Sequence, residues 1–499
     1  MENKIFFHDF GKAAFGRLDV EISGRPGTEV EIAIGEAVLS GRVNREPGGF
    51  CCFKSAKVIL DEPQRIYRFE IPRHRVPKYT VFTIMPPEGG EVAPFRYAEV
   101  VGDCEVKRFI RQEIFPEWDE KASHFESSDG DLNRVWEFCK YSMKATAAFG
   151  VFIDGERERC PYEGDAYINQ LGWFCCSRDG AIPRRTIELF KNHTTWPIEW
   201  SLLMPLIVRD YILYSGDEAY LETILPELKK RLLDELENGD GLIGGNDFYR
   251  ELIDWPMNER DGYESAGVSL VPNCMRYSAL KCMAELTGDG EYSVKAEKLK
   301  QQILHKMSVN GRLVDSPGST HTAQHSIFFP VATGVITPEA VPELSKLDIR
   351  CSVYAVQFLL DALYMGNHGL PALELLRSRG IRSWLHMIDD LGATMALEAW
   401  DASLKPNLDW NHAWGAAPAN IIPRRLCGIR PVKAGFREFV FDPQPGDLAF
   451  FKSLHPIPGG AVEVEYDSGK FSVKIPDGCT AIYRSRSYTG EFSGTLGQN

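Results

Sequence analysis

The sequence predicts a multidomain chain with a long all-α centre between two β regions, and three observations support this. Residues 1 to about 120 alternate or cluster β-branched and aromatic residues between Gly/Pro breaks. From about Ser127 to residue 400, apolar residues recur at helical spacing. From about residue 432, strand patterns return. At 499 residues the chain exceeds what one hydrophobic core usually organises, and roughly 100–200 residues per domain leaves room for two to four units.

In the first region, RLDVEISG, TEVEIAIGEAVL, SAKVILD, RIYRFEIP and YTVFTIM read as strands, with Gly24, Pro26–Gly27, Pro47–Gly48, Pro86–Pro87 and Gly89–Gly90 as breaks. Short strands at this spacing suggest an antiparallel β-sandwich over residues 1–120. The helical region opens at SSDGDLNRVWEFCKYSMKATAAFG, where Ser128 or Asp129 can cap and Leu132, Val135, Trp136, Cys139 and Met143 share one face. Tyr214-Ser-Gly216-Asp217 and Leu286-Thr-Gly288-Asp289 are parallel helix stops, and Met365-Gly366-Asn367 is a third. The 72- and 78-residue intervals between these glycines fit successive helix pairs, either a superhelix or a closed toroid. REFVFDP, AVEVEYD, KFSVKIP and TAIYRSRS make a small C-terminal β-domain, so the expected boundaries are 1–120, 121–430 and 431–499.

Composition narrows the function. With 56 basic and 70 acidic residues the net charge is −14, a field that repels phosphate backbones and anionic lipid. Nucleic acid and membranes are therefore not expected as partners, and homo-oligomerisation stays open. No apolar run reaches the roughly 18–20 residues that span a bilayer, and the start has no signal-peptide pattern, so the expected location is the cytoplasm. The 12 cysteines are scattered and include no CxxC, which predicts reduced, buried thiols and neither zinc nor any other metal or cofactor.

The most unusual segment runs from Phe152 to Asp165, with five carboxylates and two arginines broken by Gly155, Pro161 and Gly164. It reads as a loop, either a site or a solvated charge run, but apolar sequence flanks it on both sides. Glu398 is the only charge in Ala393–Trp400, read as the start of a helix, and if buried it must be paired or functional. Two carboxylates from distant segments beside aromatics fit glycoside hydrolysis, in which one protonates the leaving oxygen while the other activates water or attacks C1. Nine of the ten tryptophans lie between Trp136 and Trp414, and Trp173, Trp400 and Trp414 are candidates for stacking on a sugar, although each also suits helix packing. His412 sits among polar and aromatic groups suited to hydroxyl recognition. One GxGxxG string, Gly239–Gly244, follows a helix instead of a strand, and HExxH, GxxxxGK[ST] and GxSxG are lacking, so metalloprotease, NTPase, α/β-hydrolase and dinucleotide-binding readings lose support.

At these residues the chain resembles the α-L-rhamnosidase family of glycoside hydrolases (family 78). The resemblance is carried by Asp154, Arg157-Glu158 and Gly164-Asp165, by Asp254-Trp255, and by ATMALEAWD…NHAWGAAPANIIPRRLCGIRPVKAGF over residues 393–436. It implies an (α/α)6 toroid between two β-domains and an exo-acting, inverting enzyme on a carbohydrate substrate. Glu158 would be the general acid and Glu398 the general base. Asp154, Arg157, Asp165, Asp254, Trp255 and His412 would bind the sugar or tune the acid, with Asp154 and Asp165 raising its pKa. Two departures stand out: Asp154 lies four residues before Glu158, where five or six are usual, and Tyr162 replaces a Trp. The alternatives are a toroid glycosidase for another sugar (a deoxysugar, uronide or furanoside) and a carbohydrate-binding protein that has lost catalysis.

Overall fold

The computed structural model describes residues 4–78, 80 and 82–497. The N-terminal strands are β1 (Lys4–Ser23), β2 (Glu29–Gly35), β3 (Phe53–Ile59), β4 (Gln64–Arg68), β5 (Ala93–Gly102) and β6 (Glu105–Glu113). They form one antiparallel sheet ordered β3-β2-β5-β1-β4, with β6 also on β1. The long β1 pairs with β5 along its first half and with β4 and β6 along its second, and the register breaks between Asp9 and Ala14. Such a bulge lets one strand serve two layers. The sheet consequently curls over one core, in which Leu18, Val20 and Ile22 of β1 meet Val30, Ile32 and Ile34 of β2. The expected sandwich is thus one continuous sheet. Of the expected strand YTVFTIM, Thr80 and Phe82–Met85 are irregular, and Tyr79 and Val81 lie outside the described residues.

A short strand, β7 (His124–Ser127), leads into the helices α1 (Gly130–Thr146), α2 (Glu163–Cys176), α3 (Ala181–Phe190), α4 (Met204–Ser215) and α5 (Tyr220–Lys230). After them come α6 (Leu270–Thr287), α7 (Gly290–Lys306), α8 (His325–Ala332), α9 (Val356–Met365) and α10 (Gly369–Leu376). Asp129 caps α1, accepting from Asp131 N and Leu132 N at 3.0 Å, and the predicted apolar face is buried. Gly216 and Gly288 end α4 and α6 at φ 82° and 69°, where a left-handed residue satisfies the last carbonyls. At the third stop the left-handed residue is Asn367 (φ 59°) and not Gly366. Residues 393–400, expected to start a helix, are irregular: Glu398 N donates to Asp409 O and His412 N to Ala396 O, so they pair with residues 409–412.

The C-terminal strands are β8 (Ile429–Pro431), β9 (Glu438–Phe441), β10 (Phe450–Ile457), β11 (Gly460–Asp467), β12 (Lys470–Lys474), β13 (Thr480–Tyr483), β14 (Arg486–Tyr488) and β15 (Glu491–Thr495). One sheet is ordered β8-β9-β13-β14 and the other β15-β12-β11-β10-β7. β7 therefore precedes the helices in sequence but closes a sheet built from the far end of the chain. All 12 cysteines are buried and unpaired by disulfide, as the sequence predicts. Among the described residues no helix is long and apolar enough to cross a membrane.

The cap at Asp129 gives a direct stability test. Asp129→Ala should cost about 1 kcal/mol in urea unfolding, whereas Asp129→Ser should recover most of it. Equal losses in both variants would show that the Asp129–Arg377 ion pair, not the cap, is what matters.

Candidate active site

The charged segment 152–165 is buried except for Tyr162, which excludes the solvated reading. Its backbone turns tightly: Arg159 N donates to Gly155 O at 2.9 Å, and Arg159 adopts φ 51°, a strained conformation for a side-chain-bearing residue. Gly155 is needed because a Cβ there would lie 2.8 Å from Asp409 Oδ2, and Gly164 because a Cβ would lie 2.6 Å from the Trp200 indole. Asp165 falls in the first turn of α2.

The N-terminal region braces this loop. Arg159 donates to Glu91 Oε1 (2.8 Å), Val92 O (3.0 Å) and Glu156 Oε2 (2.9 Å). Thr83 Oγ1 donates to Glu158 O at 3.1 Å, and Ile84 N to Arg159 O at 2.8 Å. Buried Glu36 accepts from Cys52 N (2.8 Å) and Asn411 Nδ2 (3.1 Å), while Asn411 Oδ1 accepts from Glu156 N (2.7 Å).

A cavity of about 210 Å³ opens on this loop, walled by Asp154, Arg157, Glu158, Tyr162, Asp165, Trp196, Trp200, Trp255, Glu398, His412 and Trp414. Arg157 joins the two glutamates. Its Nε donates to Glu158 Oε1 at 3.1 Å, and Nη1 and Nη2 donate to Glu398 Oε2 and Oε1 at 2.6 and 2.7 Å. The carboxylates thus occupy different edges of one guanidinium. Glu158 Oε2 also accepts the Tyr162 hydroxyl. Glu398 takes a further bond from Asp409 N (3.0 Å) and lies 3.2 Å from Lys405 Nζ.

These surroundings set the protonation states. Burial alone would raise Glu398, but Arg157, His412 and Lys405 outweigh it and hold the group down at about 2. Asp409 is pushed up to about 7, chiefly by burial, with Glu398 adding repulsion against the pull of Arg157. Asp154 is raised well above the usual carboxylate range by burial and by Glu158, Asp409 and Asp165. Burial also raises Asp165, opposed by His412, whose Nε2 lies 2.7 Å from Asp165 Oδ1. Asp154 Oδ2, Asp409 Oδ1 and His412 Nδ1 have no hydrogen-bond partner, and one atom of each residue falls within 4.8 Å of the others. The sequence leads one to expect no metal here; this is the set among the described residues that could hold a cation, and its carboxyls, raised as they are, can equally share a proton.

Three sequence candidates do not line the cavity. Trp173 is fully buried, donates Nε1–H to Asp179 O at 2.6 Å and packs on Trp118 and Phe152. Trp400 is buried against Trp384 and donates to Cys351 O at 2.8 Å. Both serve the core because their polar edges are satisfied by backbone. Asp254 also points away, accepting from Ser352 N (2.9 Å) and Trp255 N (2.8 Å), with His325 Nε2 at 2.8 Å; it seats Trp255 at the cavity wall. Buried Glu199 helps by accepting from Leu252 N and Ile253 N at 3.0 and 2.8 Å. Trp196, Trp200, Lys405 and Asp409 also belong to this site, though sequence reasoning does not reach them. The Trp pair in TTWPIEW was a usable signal, whereas Lys405 reaches Glu398 only through tertiary folding.

Glu36 gives a pH test. Burial raises it to about 8, above its unfolded value, so the native state holds a proton that the unfolded chain releases, and stability should fall as pH rises from about 4.5 to 8. Glu36→Gln should flatten the decline in melting temperature across that window. An unchanged slope would place the titration elsewhere.

Residues 120–426 match the family described as the bacterial alpha-L-rhamnosidase 6 hairpin glycosidase domain, and residues 428–483 match the bacterial alpha-L-rhamnosidase C-terminal domain. No curated protein matches the chain. Among solved structures the chain is similar to the GH78 family rhamnosidase of Bacillus sp. GL1, with 18% identity over 98% of this chain and 55% of that one and a TM-score of 0.76. It is also similar to the Streptomyces avermitilis alpha-L-rhamnosidase complexed with L-rhamnose (16% identity, 96% of this chain and 48% of that one, TM-score 0.74). A third is the Aspergillus terreus alpha-L-rhamnosidase (16% identity, 99% and 63%, TM-score 0.77). The chain therefore spans between 48% and 63% of the length of these solved relatives, and at such identities the likeness speaks for the fold. With 120–426 matched, more than half of its length, the chain belongs to the bacterial α-L-rhamnosidase six-hairpin glycosidase family.

Proposed function

We propose that the chain is an exo-acting, inverting glycoside hydrolase that releases terminal L-rhamnose. One observation carries this reading: Glu158 and Glu398, far apart in sequence, meet on two edges of the Arg157 guanidinium inside a small aromatic-walled cavity. That volume is below the roughly 300–1,000 Å³ of sites for drug-sized ligands and suits one sugar ring, which supports removal of a terminal unit. Trp196, Trp200, Trp255 and Trp414 offer ring faces to its C–H groups. The proposed architecture is an (α/α)6 toroid over about 121–430, between the curled strand-rich region over 1–120 and a β-domain over 431–499, with β7 reaching across to the last.

In this mechanism Glu158 gives its proton to the glycosidic oxygen as the C1–O bond breaks. A water on the opposite face of the ring attacks C1 and loses a proton to Glu398, so the anomeric configuration inverts. Arg157 keeps Glu398 ionised, as a base requires, but lowers its basicity. The guanidinium must therefore yield part of its bidentate bond as water is activated. Asp165, His412 and Asp154 line the same cavity and are the proposed hydroxyl partners.

Hydrolysis of para-nitrophenyl α-L-rhamnopyranoside, followed by NMR, should give β-rhamnose first. Glu158→Gln and Glu398→Gln should each lower turnover by about 10²–10⁴-fold. Full activity in either variant, or α-rhamnose as the first product, would overturn the mechanism; no turnover by the wild type would shift the reading to another sugar. In a second test, Arg157→Gln removes the cation that holds Glu398 low, so the acid limb of kcat/KM should move to higher pH. An unmoved limb would mean that Glu398 does not govern it.

A further inference from the structure

Beside the site loop lies a second cavity, of about 400 Å³, that the reaction proposed above does not use. Its walls come from residues 49–54 and 72–75 of the N-terminal region and from Glu156 and Arg157 of the site loop. Lys54, Arg73, His74 and Arg75 make this wall basic, a local reversal in a chain of net charge −14. The one carboxylate in the lining, Glu156, is engaged: its Oε2 takes Arg159 at 2.8–2.9 Å. Its Oε1 is 3.9 Å from Lys54 Nζ and 3.6 Å from His74 Nδ1, too far for a hydrogen bond, and has no partner. The His74 side chain is 9% exposed and its Nε2 is also unpartnered. Among the described residues, Arg73 and Arg75 are exposed and make no ion pair. A lysine without a close carboxylate and two unpaired guanidinium groups around one cavity, beside a half-buried histidine whose Nε2 has no partner, form an unsatisfied donor set.

We propose that this cavity binds an anionic group, a carboxylate or a phosphate-like oxyanion, and that the anion is carried by the leaving group of the substrate. The placement supports this source because Arg157 borders both cavities and Phe50, in the second, packs over its guanidinium at 5.4 Å. A glycoside whose terminal sugar fills the first cavity would then present an acidic second unit to Arg73, Arg75 and Lys54. The assignment to a leaving group rests on the glycoside-hydrolase reading; the binding of an anion does not.

The test compares wild type with the Arg73→Ala/Arg75→Ala double variant, neither residue lining the cavity that holds Glu158 and Glu398. kcat/KM is measured on a neutral aryl α-L-rhamnoside and on rhamnose linked to a hexuronic acid, at low and high salt. Free glucuronate and inorganic phosphate are titrated calorimetrically into both proteins. The double variant should lose about tenfold or more in kcat/KM on the uronide through KM and less than about twofold on the aryl glycoside, and salt should erode the wild-type preference. Free anions that bind wild type and not the variant, without any preference for the uronide, would overturn the leaving-group source while supporting the anion site. Equal kinetics on both substrates, with no calorimetric binding in the millimolar range, would overturn the proposal. If wild type cleaves neither glycoside, the rhamnose reading fails and the titration alone decides the cavity.

Discussion

Arg157 donates from all three guanidinium nitrogens to carboxylates, two bonds to Glu398 and one to Glu158, in a place where charges have almost no access to water. Burying any of these groups unpaired costs several kcal/mol, so each depends on its partners. The rest of the site follows from that constraint. The loop must turn at Gly155 and accept strain at Arg159 to deliver both arginines inward. Residues 393–400 leave helical geometry so that Glu398 can reach the guanidinium. The N-terminal strand-rich region supplies Glu36, Thr83, Glu91 and Val92 as fixed partners for a loop that could not otherwise hold so many charges in the interior.

The same environment separates chemically similar groups. Glu398 is held at about 2, while Asp409, which donates its backbone N–H to it, is pushed up to about 7. Asp154 and Asp165 are raised as well, mainly by burial. Neutral carboxyls can donate hydrogen bonds that ionised ones cannot, so four acids in one pocket need not repel one another. The raised carboxyls can therefore act as hydrogen-bond donors beside an ionised Glu398.

The sequence is legible where local rules operate. The α1 face, the Gly216 and Gly288 stops and strands such as AVEVEYD and KFSVKIP follow periodicity and capping. The charged run 152–165 stands out through its flanks, and the lone charge at Glu398 through its apolar setting. Long-range pairing is less visible. The strand at 124–127 belongs to a sheet assembled more than 320 residues later, and the central strand Ala93–Gly102 carries no pattern stronger than its neighbours. Trp173 and Trp400 share the composition of a stacking residue, yet backbone carbonyls claim their indole N–H groups, a fact that only the fold supplies. Asp254 sits in a motif beside Trp255, but its carboxylate is taken up by Ser352, His325 and the Trp255 backbone N–H, which only the fold shows.

The central claim is that Arg157 fixes Glu398 as a permanent anion. Glu-selective ¹³C labelling, with Glu398→Gln to assign the carboxyl resonance, tests it most directly in a pH titration of the folded protein. The account predicts a Glu398 carboxyl shift typical of the ionised form and flat from pH 7 down to at least pH 4, because the group titrates only near 2. A midpoint at or above the ordinary glutamate value of about 4.3 would contradict it.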